Sequence, residues 1–479
     1  MFNFDNSYAQ LPERFYAKVH PEKFSNPTLI AFNQDLANEI LGLNVDTFNA
    51  QDLAEIFSAQ RILPKSNPIA LAYAGHQFGH FSPQLGDGRA LLLGEILSPE
   101  GARFDIQLKG SGRTPFSRNG DGKSSLGPVI REYIVSEAMH FLGVPTTRAL
   151  AAVSTGDFVY REQALPGGIF TRVACSHIRI GTFEYFAGQR DNEALEVLIR
   201  YSLDRHYPGI QHGKNIYLDF LQAVAHAQAA LVAKWMSFGF IHGVMNTDNM
   251  SISGETLDYG PCAFMDNYAA NRVFSSIDQN GRYAYNNQIS IAQWNLYRLA
   301  SCFLPFIHED QDVAIKITEE ASKDMMAVYE EKWKRAMIKK LGLFDLKFQD
   351  KALINKWLQL LEDEDLDFTL SFRKLSEENC DLKNNICFND FFVCWKKRLK
   401  SQSQSFQDSI KLMNSVNPVF IPRNHQVERA IQLSLAGDYS VFKEMNELLK
   451  IPYIDQNEFL NYKEPPKLEE RIGATFCGT

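Results

Sequence analysis

The apolar positions change their period several times along the chain. In FNQDLANEILG, residues 32–42, Leu36, Ile40 and Leu41 recur at helical spacing and Gly42 supplies a C-cap. Residues 1–70 therefore read as helices and loops, an N-terminal helical extension. Between residues 88 and 110 the character changes. RALLLGEILSPEGARFDIQLKG has two apolar runs around Pro99-Glu100-Gly101, a β-hairpin signal, and Lys109 ends the second strand. LGPVIREYIVSEAMHFLG, residues 126–143, predicts a helix. Val129, Ile130, Tyr133, Ile134, Ala138, Phe141 and Leu142 form its apolar stripe, Pro128 suits its first turn and Gly143 its end. Residues 217–239 predict another helix ending at Gly239, and FIHGVMNTDNMSI then reads as strand, loop and strand. From about residue 310 the chain is helix-rich and amphipathic, with dense surface charge. SQSQS at 401–405 is a short polar linker, and there is no internal repeat.

Composition narrows the class. The chain has 479 residues, 45% hydrophobic and 22% charged, which is ordinary globular composition for two to four compact units. A net charge of −8 and a pI near 5.8 argue against a dedicated nucleic-acid binder. Seven cysteines in so long a chain do not make a disulfide scaffold, and none form C-x-x-C. Cys380, Cys387 and Cys394 recur every seven residues, which predicts one buried helical side rather than a zinc site. No run approaches the ~18 uninterrupted apolar residues of a membrane span. MFNFDNSYAQLPERF has neither the basic nor the apolar region of a signal peptide. The expected location is the cytoplasm, with no membrane and no nucleic acid as partner.

The chemistry concentrates in FIHGVMNTDNMSISGETLDYG, residues 240–260. A protein kinase writes its catalytic loop H-R-D-x-x-x-x-N and its metal loop D-F-G. His242, Asn249 and Asp258-Tyr259-Gly260 fall in those places, but Val244 stands where the proton-accepting Asp belongs. Upstream, Lys109 precedes a helix holding Glu132, in the order of the kinase lysine and its ion-pair partner, with Glu137 as the competing partner. Asn249 and Asp258 offer hard oxygen ligands suited to Mg2+ on a triphosphate. Taken singly, they read better as an Asx turn and a D-Y-G turn, and it is the order with His242, Lys109 and Glu132 that favours an ATP–metal site. Gly86 and Gly88 precede a strand, where their backbone can approach phosphate oxygens, and Arg89 adds a charge. A second Gly-rich loop, 110–124, carries Arg113, Arg118, Asp121 and Lys123. Two near-matches fail. SRNGDGKS lacks the first glycine of a P-loop, and His76 and His80 lack the Glu of a zinc-protease helix, so both histidines are expected in a turn.

Four longer blocks carry a family resemblance: AYAGHQFGHFSPQLGDGRALLLGE, LKGSGRTPFSRNGDGKSSLGPVIREYIVSEAMHFLGVPTTRAL, FTRVACSHIRIGTFEYFA and HGVMNTDN…DYGPCAFMD. They resemble the selenoprotein O family, which includes the bacterial YdiU proteins, over nearly the whole chain. The resemblance implies a protein-kinase-like fold that transfers a nucleoside monophosphate. The donor is ATP, giving AMP, or UTP, giving UMP, with Mg2+ or Mn2+. The acceptor is a hydroxyl or imidazole side chain of a protein, self-modification included. It also implies a reversed nucleotide whose γ-phosphate enters a basic pocket. Gly86, Gly88, Arg89, Lys109, Asp121, Gly122, Arg172, Arg179 and Asp258 match the nucleotide-binding residues. Glu132 matches the ion-pair partner of Lys109, Asp248 the proton acceptor, and Asn249 and Asp258 the metal ligands. On this reading the carboxylate has moved four positions, from the Val244 site to Asp248. Beside a metal, its pKa is expected to fall. Relatives carry a cysteine or selenocysteine near the C-terminus. Here it is Cys477, and Cys262 is the candidate redox partner.

The fold class expected is α+β, a two-lobed kinase-like fold. Its parts are an extension at 1–70, a β-rich N-lobe at 71–165, a helical C-lobe at 166–325 and a helical C-terminal extension at 326–479. The hinge is expected at Leu165-Pro166-Gly167-Gly168, and the extension is expected to pack on the C-lobe and select protein substrates. Two alternatives remain beside the nucleotidyltransferase: a conventional protein kinase, and a nucleotide-binding pseudokinase module.

Overall fold

The structure, a computed structural model, describes residues 2–45, 47–210, 215–377, 380, 382 and 385–476. In chain order the strands are β1 (Tyr16–Lys18), β2 (Thr28–Phe32), β3 (Ile69–Leu71), β4 (Gly75–Gln77), β5 (His80–Ser82), β6 (Ala90–Leu97), β7 (Arg103–Lys109), β8 (Ser124–Ser125), β9 (Arg148–Tyr160), β10 (Ala164–Ala174), β11 (Phe240–Ile241) and β12 (Ala263–Phe264). An antiparallel sheet runs β1-β3-β6-β7-β10-β9-β2, with β8 also paired to β10. The expected hairpin is β6–β7, turning at Pro99-Glu100-Gly101. Residues 1–70 are not a helical extension. They supply β1 and β2, the two edge strands of the sheet, and Phe4 bridges to Ile96. Their short strands lack a run long enough to show period two, so the pairing is tertiary. The 32–42 periodicity yields a single π-helical turn, Leu36–Ile40, ending at the left-handed Gly42.

Leu165–Gly168 is not a connection between lobes but part of β10, paired with β9 across a register shift. A Cβ on Gly168 would press on Leu126 and Val129 at 3.1 Å, and one on Gly167 would meet Thr155 Oγ1 at 2.5 Å. The glycines permit close approach to neighbouring backbone and helix, the other use of glycine in a strand. The chain leaves the sheet only after Ala174.

The helices are α1 (Ala50–Phe57), α2 (Leu126–Phe141), α3 (Ile180–Gly188), α4 (Asn192–His206), α5 (Ile216–Ser237), α6 (Gln288–Ile307), α7 (Gln311–Lys340), α8 (Asp350–Asp363), α9 (Phe368–Lys374), α10 (Asn389–Leu399), α11 (Phe406–Val416), α12 (Asn424–Leu435) and α13 (Ser440–Leu448). The predicted helices at 126–143 and 217–239 are α2 and α5. The strand–loop–strand at 240–252 is only half formed. β11 pairs with the later β12, and Ser251 makes a single bridge to Arg179. One core lies among α3–α11, and a second lies on the outer face of the sheet beneath the N-terminal residues. A third joins α2 and the sheet to α12 and α13. The C-terminal region is therefore divided: α7–α11 pack with the C-lobe core, whereas α12 and α13 pack on α2.

α5 is long and apolar enough to cross a bilayer by length and composition, and half of that window is buried against the protein. It packs on α6 and α7. Cys380 is buried, but Cys387 lies exposed on a 3-10 turn and Cys394 exposed on α10, so the three do not share a buried helical side.

Candidate active site

The site grows from the register of β7 on β10. Gln107 stands directly opposite Arg172 and Lys109 opposite Phe170. Period two places Gln107 and Lys109 on one face. The Lys109 Nζ donates to Glu132 on α2 and, at 2.6 Å, to Asp258 Oδ1. Glu137 does not compete for Lys109: it takes Arg148 in a bidentate pair at 2.8 Å and the Ala149 N–H. Arg172 Nε donates to Gln107 Oε1 at 2.8 Å and its Nη1 to Asp258 Oδ1 at 2.7 Å. Arg179, at the start of α3, donates to Asp258 Oδ2 at 2.8 Å and to the Asp248 carbonyl at 2.6 Å, and lies over the Tyr73 ring. Three cations thus converge on one carboxylate. Burial alone would raise the Asp258 pKa, but Arg172, Lys109 and Arg179 outweigh it and hold the group well below the usual range. Asp258 also has φ +63°, a left-handed conformation uncommon among non-glycine residues, although Asp tolerates it better than most.

Beside it, Thr247–Asn249 forms a 3-10 turn. His242 is fully buried and braces this loop: its Nε2 meets the Leu257 carbonyl at 2.9 Å and its N–H donates to Gln288. Thr247 donates to Glu184 of α3, which also binds His76 Nδ1 at 2.5 Å. His76 and His80 lie on the paired strands β4 and β5 of one hairpin rather than in a turn; the turn between them is Phe78-Gly79. Gln77 of that hairpin donates to Asp248 Oδ2 at 3.4 Å, while Asp248 Oδ1 is buried without a partner. Burial raises the Asp248 carboxyl to about 6, with Arg179 opposing. Asn249 Nδ2 donates to the Val244 carbonyl at 3.0 Å, leaving its amide oxygen as the atom for a cation. The Asn249 amide oxygen and the Asp258 carboxylate are hard donors that fit Mg2+ or Mn2+, and the orphaned Asp248 oxygen beside them stays free for a proton. No cluster of three or more His, Cys, Asp or Glu suited to a metal occurs among the described residues.

Lys109, Glu132, Arg172, Arg179, Asp248, Asn249 and Asp258 face one cavity of about 1060 Å³, with Gln107, His242 and Thr247 set behind its lining. Gly86, Gly88 and Arg89 line it from the first loop and Asp121 and Gly122 from the second. The loops are tied together: Thr114 Oγ1 donates to the Asp87 carbonyl at 2.6 Å and Ser117 to the Gly88 carbonyl. Gly122 (φ +68°) packs on the Gly112 backbone, where a Cβ would collide. Asp121 is held by Arg161 in a bidentate pair at 2.8 and 3.0 Å. The fourth wall is α12, with Glu428, Ile431, Gln432 and Leu435, and Phe476 completes the rim.

The structure thus brings to one cavity every residue matched to the nucleotide, the metal or the proton acceptor, together with Glu132, whereas Glu137, His242 and Cys262 do not line it. Cys477 lies outside the described residues, and Cys262 is buried. Thr475 nevertheless donates to the Pro261 carbonyl at 2.6 Å, so the tail runs beside the Asp258 loop. Sequence reasoning missed Asp87, Gln107, Arg161 and the α12 wall. Gln107 had left a signal, a polar residue two positions before Lys109 in an apolar strand. The α12 wall had none.

The sequence model of the family described as "Protein adenylyltransferase SelO" matches residues 1–450. Among similar curated proteins, each called protein nucleotidyltransferase YdiU, that of Rhizobium etli CIAT 652 is 50% identical over 100% of this chain and 97% of its own length. The Agrobacterium fabrum protein is 50% identical over 100% of both chains. The Nitrosococcus oceani protein is 48% identical over 100% of this chain and 97% of its own.

Proposed function

The chain belongs to the SelO family of protein adenylyltransferases, and from that membership we propose a metal-dependent protein nucleotidyltransferase that moves AMP from ATP onto a side-chain hydroxyl of a protein. UMP from UTP and an imidazole acceptor are the variants of the same chemistry. The observation that carries the reading is the unpartnered Asp248 Oδ1 beside three cations on one cavity, with Val244 at the kinase base position. A kinase lacking its base there is the less favoured reading. A binding-only module has no use for an orphaned carboxylate oxygen at this place.

In the proposed reaction the acceptor oxygen attacks the α-phosphorus, the bond from that phosphorus to the bridging oxygen breaks, and pyrophosphate leaves. The acceptor proton passes to Asp248 Oδ1. Lys109, Arg172 and Arg179 neutralise the phosphate oxygens, the two arginines presenting rigid forks. Their burial, 1% and 3% exposed, supports a γ-phosphate held inward and an α-phosphate turned toward the acceptor. Asn249 and Asp258 would hold the cation, which supplies charge neutralisation on the phosphates. Glu132 fixes the direction of Lys109. The packing of α5 in the core supports a reading without a membrane, in the cytoplasm. The position of Thr475 beside Pro261 supports a regulatory pairing of Cys477 with Cys262, tested by a non-reducing mass map.

The test is ATP labelled at the α- or the γ-phosphate, with Mg2+ or Mn2+, and protein-bound label located by mass spectrometry. The α-label is expected on protein as a whole AMP. Transfer of the γ-label alone would overturn the reading.

A further inference from the structure

Next to the β4–β5 hairpin, outside the cavity lining, lies an aromatic and cationic patch. Phe81 is 42% exposed, and its ring packs on His76 at 5.0 Å. His76 meets Trp294 of α6 edge-on at 5.3 Å. Trp294 in turn carries two guanidinium groups, Arg282 at 4.8 Å and Arg298 at 5.3 Å. Neither arginine ion-pairs with a carboxylate among the described residues, both Nε atoms are buried without a hydrogen-bond partner, and Arg282 also lies over the Tyr283 ring at 5.7 Å. None of these side chains lines the nucleotide cavity, whereas Gln77 of the same hairpin does.

We propose that this patch is the docking surface for the acceptor protein, and that it takes an acidic segment flanking the modified residue. The proposal rests on the transferase reading given above. A stacked arginine keeps its charge and its outward N–H edge, so two unneutralised guanidinium groups on one indole make an anion-binding face. Tryptophan and arginine are also the residues that dominate binding energy at protein interfaces. The patch is wired to the reacting atoms. His76 binds Glu184, Glu184 holds Thr247, and Thr247 precedes Asp248. A polypeptide lying across Phe81 and Trp294 is therefore one hairpin's width from the carboxylate that takes its proton. Gln77 of the hairpin both lines the cavity and donates to Asp248, so the hairpin borders the place where the acceptor would react.

The test uses two fluorescein-labelled peptides with a common Gly-Thr-Gly centre, one flanked by Asp and Glu and the other by Lys. Binding is read by fluorescence anisotropy and modification by α-label transfer. The wild-type protein is expected to bind the acidic peptide about tenfold more tightly, against its own net negative charge. The double variant Arg282→Glu/Arg298→Glu is expected to reverse that preference with ATP affinity unchanged, a reversal that a misfolded protein does not produce. Equal binding of both peptides by the wild type, or a preference that survives the charge reversal, overturns the proposal. Charge-dependent binding with no label transferred to either peptide would sink the transferase reading and leave the docking surface standing.

Discussion

Gln107 holds Arg172 in place: its Oε1 accepts the guanidinium Nε at 2.8 Å from the opposite strand. Its own amide donates to Asp87 Oδ2 at 3.0 Å, and Asp87 is anchored by the Leu71 N–H at 3.1 Å. All three side chains are buried, so the arginine's direction is set before any phosphate arrives.

Gln107→Leu keeps the volume and removes both bonds. It is expected to cost about 1–3 kcal/mol of stability, since Arg172 Nε and Asp87 Oδ2 lose a buried partner. It should also lower kcat about tenfold or more through misplacement of the guanidinium. Denaturant unfolding and steady-state label transfer measure the two effects. Loss of stability with kcat intact would make Gln107 a packing residue only.

Asp258→Ala removes the anion shared by Lys109, Arg172 and Arg179. Metal-dependent transfer is expected to vanish. Metal-free ATP binding should persist or tighten, because three cations lose their competing carboxylate. Calorimetric titration with and without Mg2+ separates the two; full turnover would refute the assigned role.

Glu132 and Glu137 lie on the same helix and have different jobs. Glu132→Gln is expected to lower kcat with little loss of stability, since only the direction of Lys109 suffers. Glu137→Gln is expected to cost stability first. Its carboxylate holds Arg148, the Ala149 N–H and Asn33 across the helix–sheet contact. Thermal melts set against kinetics for the pair check this division.

Lys340 sits in a ring of Phe238, Phe368 and Phe372, 4.6–5.6 Å from their centroids. Burial, with Lys234 nearby, lowers its pKa from 10.5 to about 7. The unfolded chain binds the proton more tightly, so stability rises as pH rises from about 7 toward 10.5, and the penalty is complete below that window. Lys340→Met is expected to raise Tm at pH 7 by several degrees and to flatten the slope above it. A melting series from pH 6 to 10 reads both.

Much of this was legible along the chain because it is local. The β6–β7 hairpin, α2 and α5 follow from apolar period and turn residues within their own segments. The order Lys109, Glu132, Asn249, Asp258 carries the site, since those residue types are dictated by phosphate and metal chemistry wherever the fold puts them. Contacts between distant segments left no such trace. Nothing in residues 16–18 or 28–32 announces an edge strand, because a three- to five-residue strand is selected by its neighbour's open hydrogen bonds. The Leu165–Gly168 glycines look like a hinge until α2 is seen packed against them.

By itself the amino-acid sequence determined which groups are available for the chemistry and in what order. Tertiary structure alone decided who pairs with whom. Glu132 rather than Glu137 meets Lys109, Gln107 aims Arg172, and α12 closes the cavity from residues 424–435. The reason is physical: a side chain's partner is set by strand register and helix packing, and both are fixed by burial summed over the whole chain.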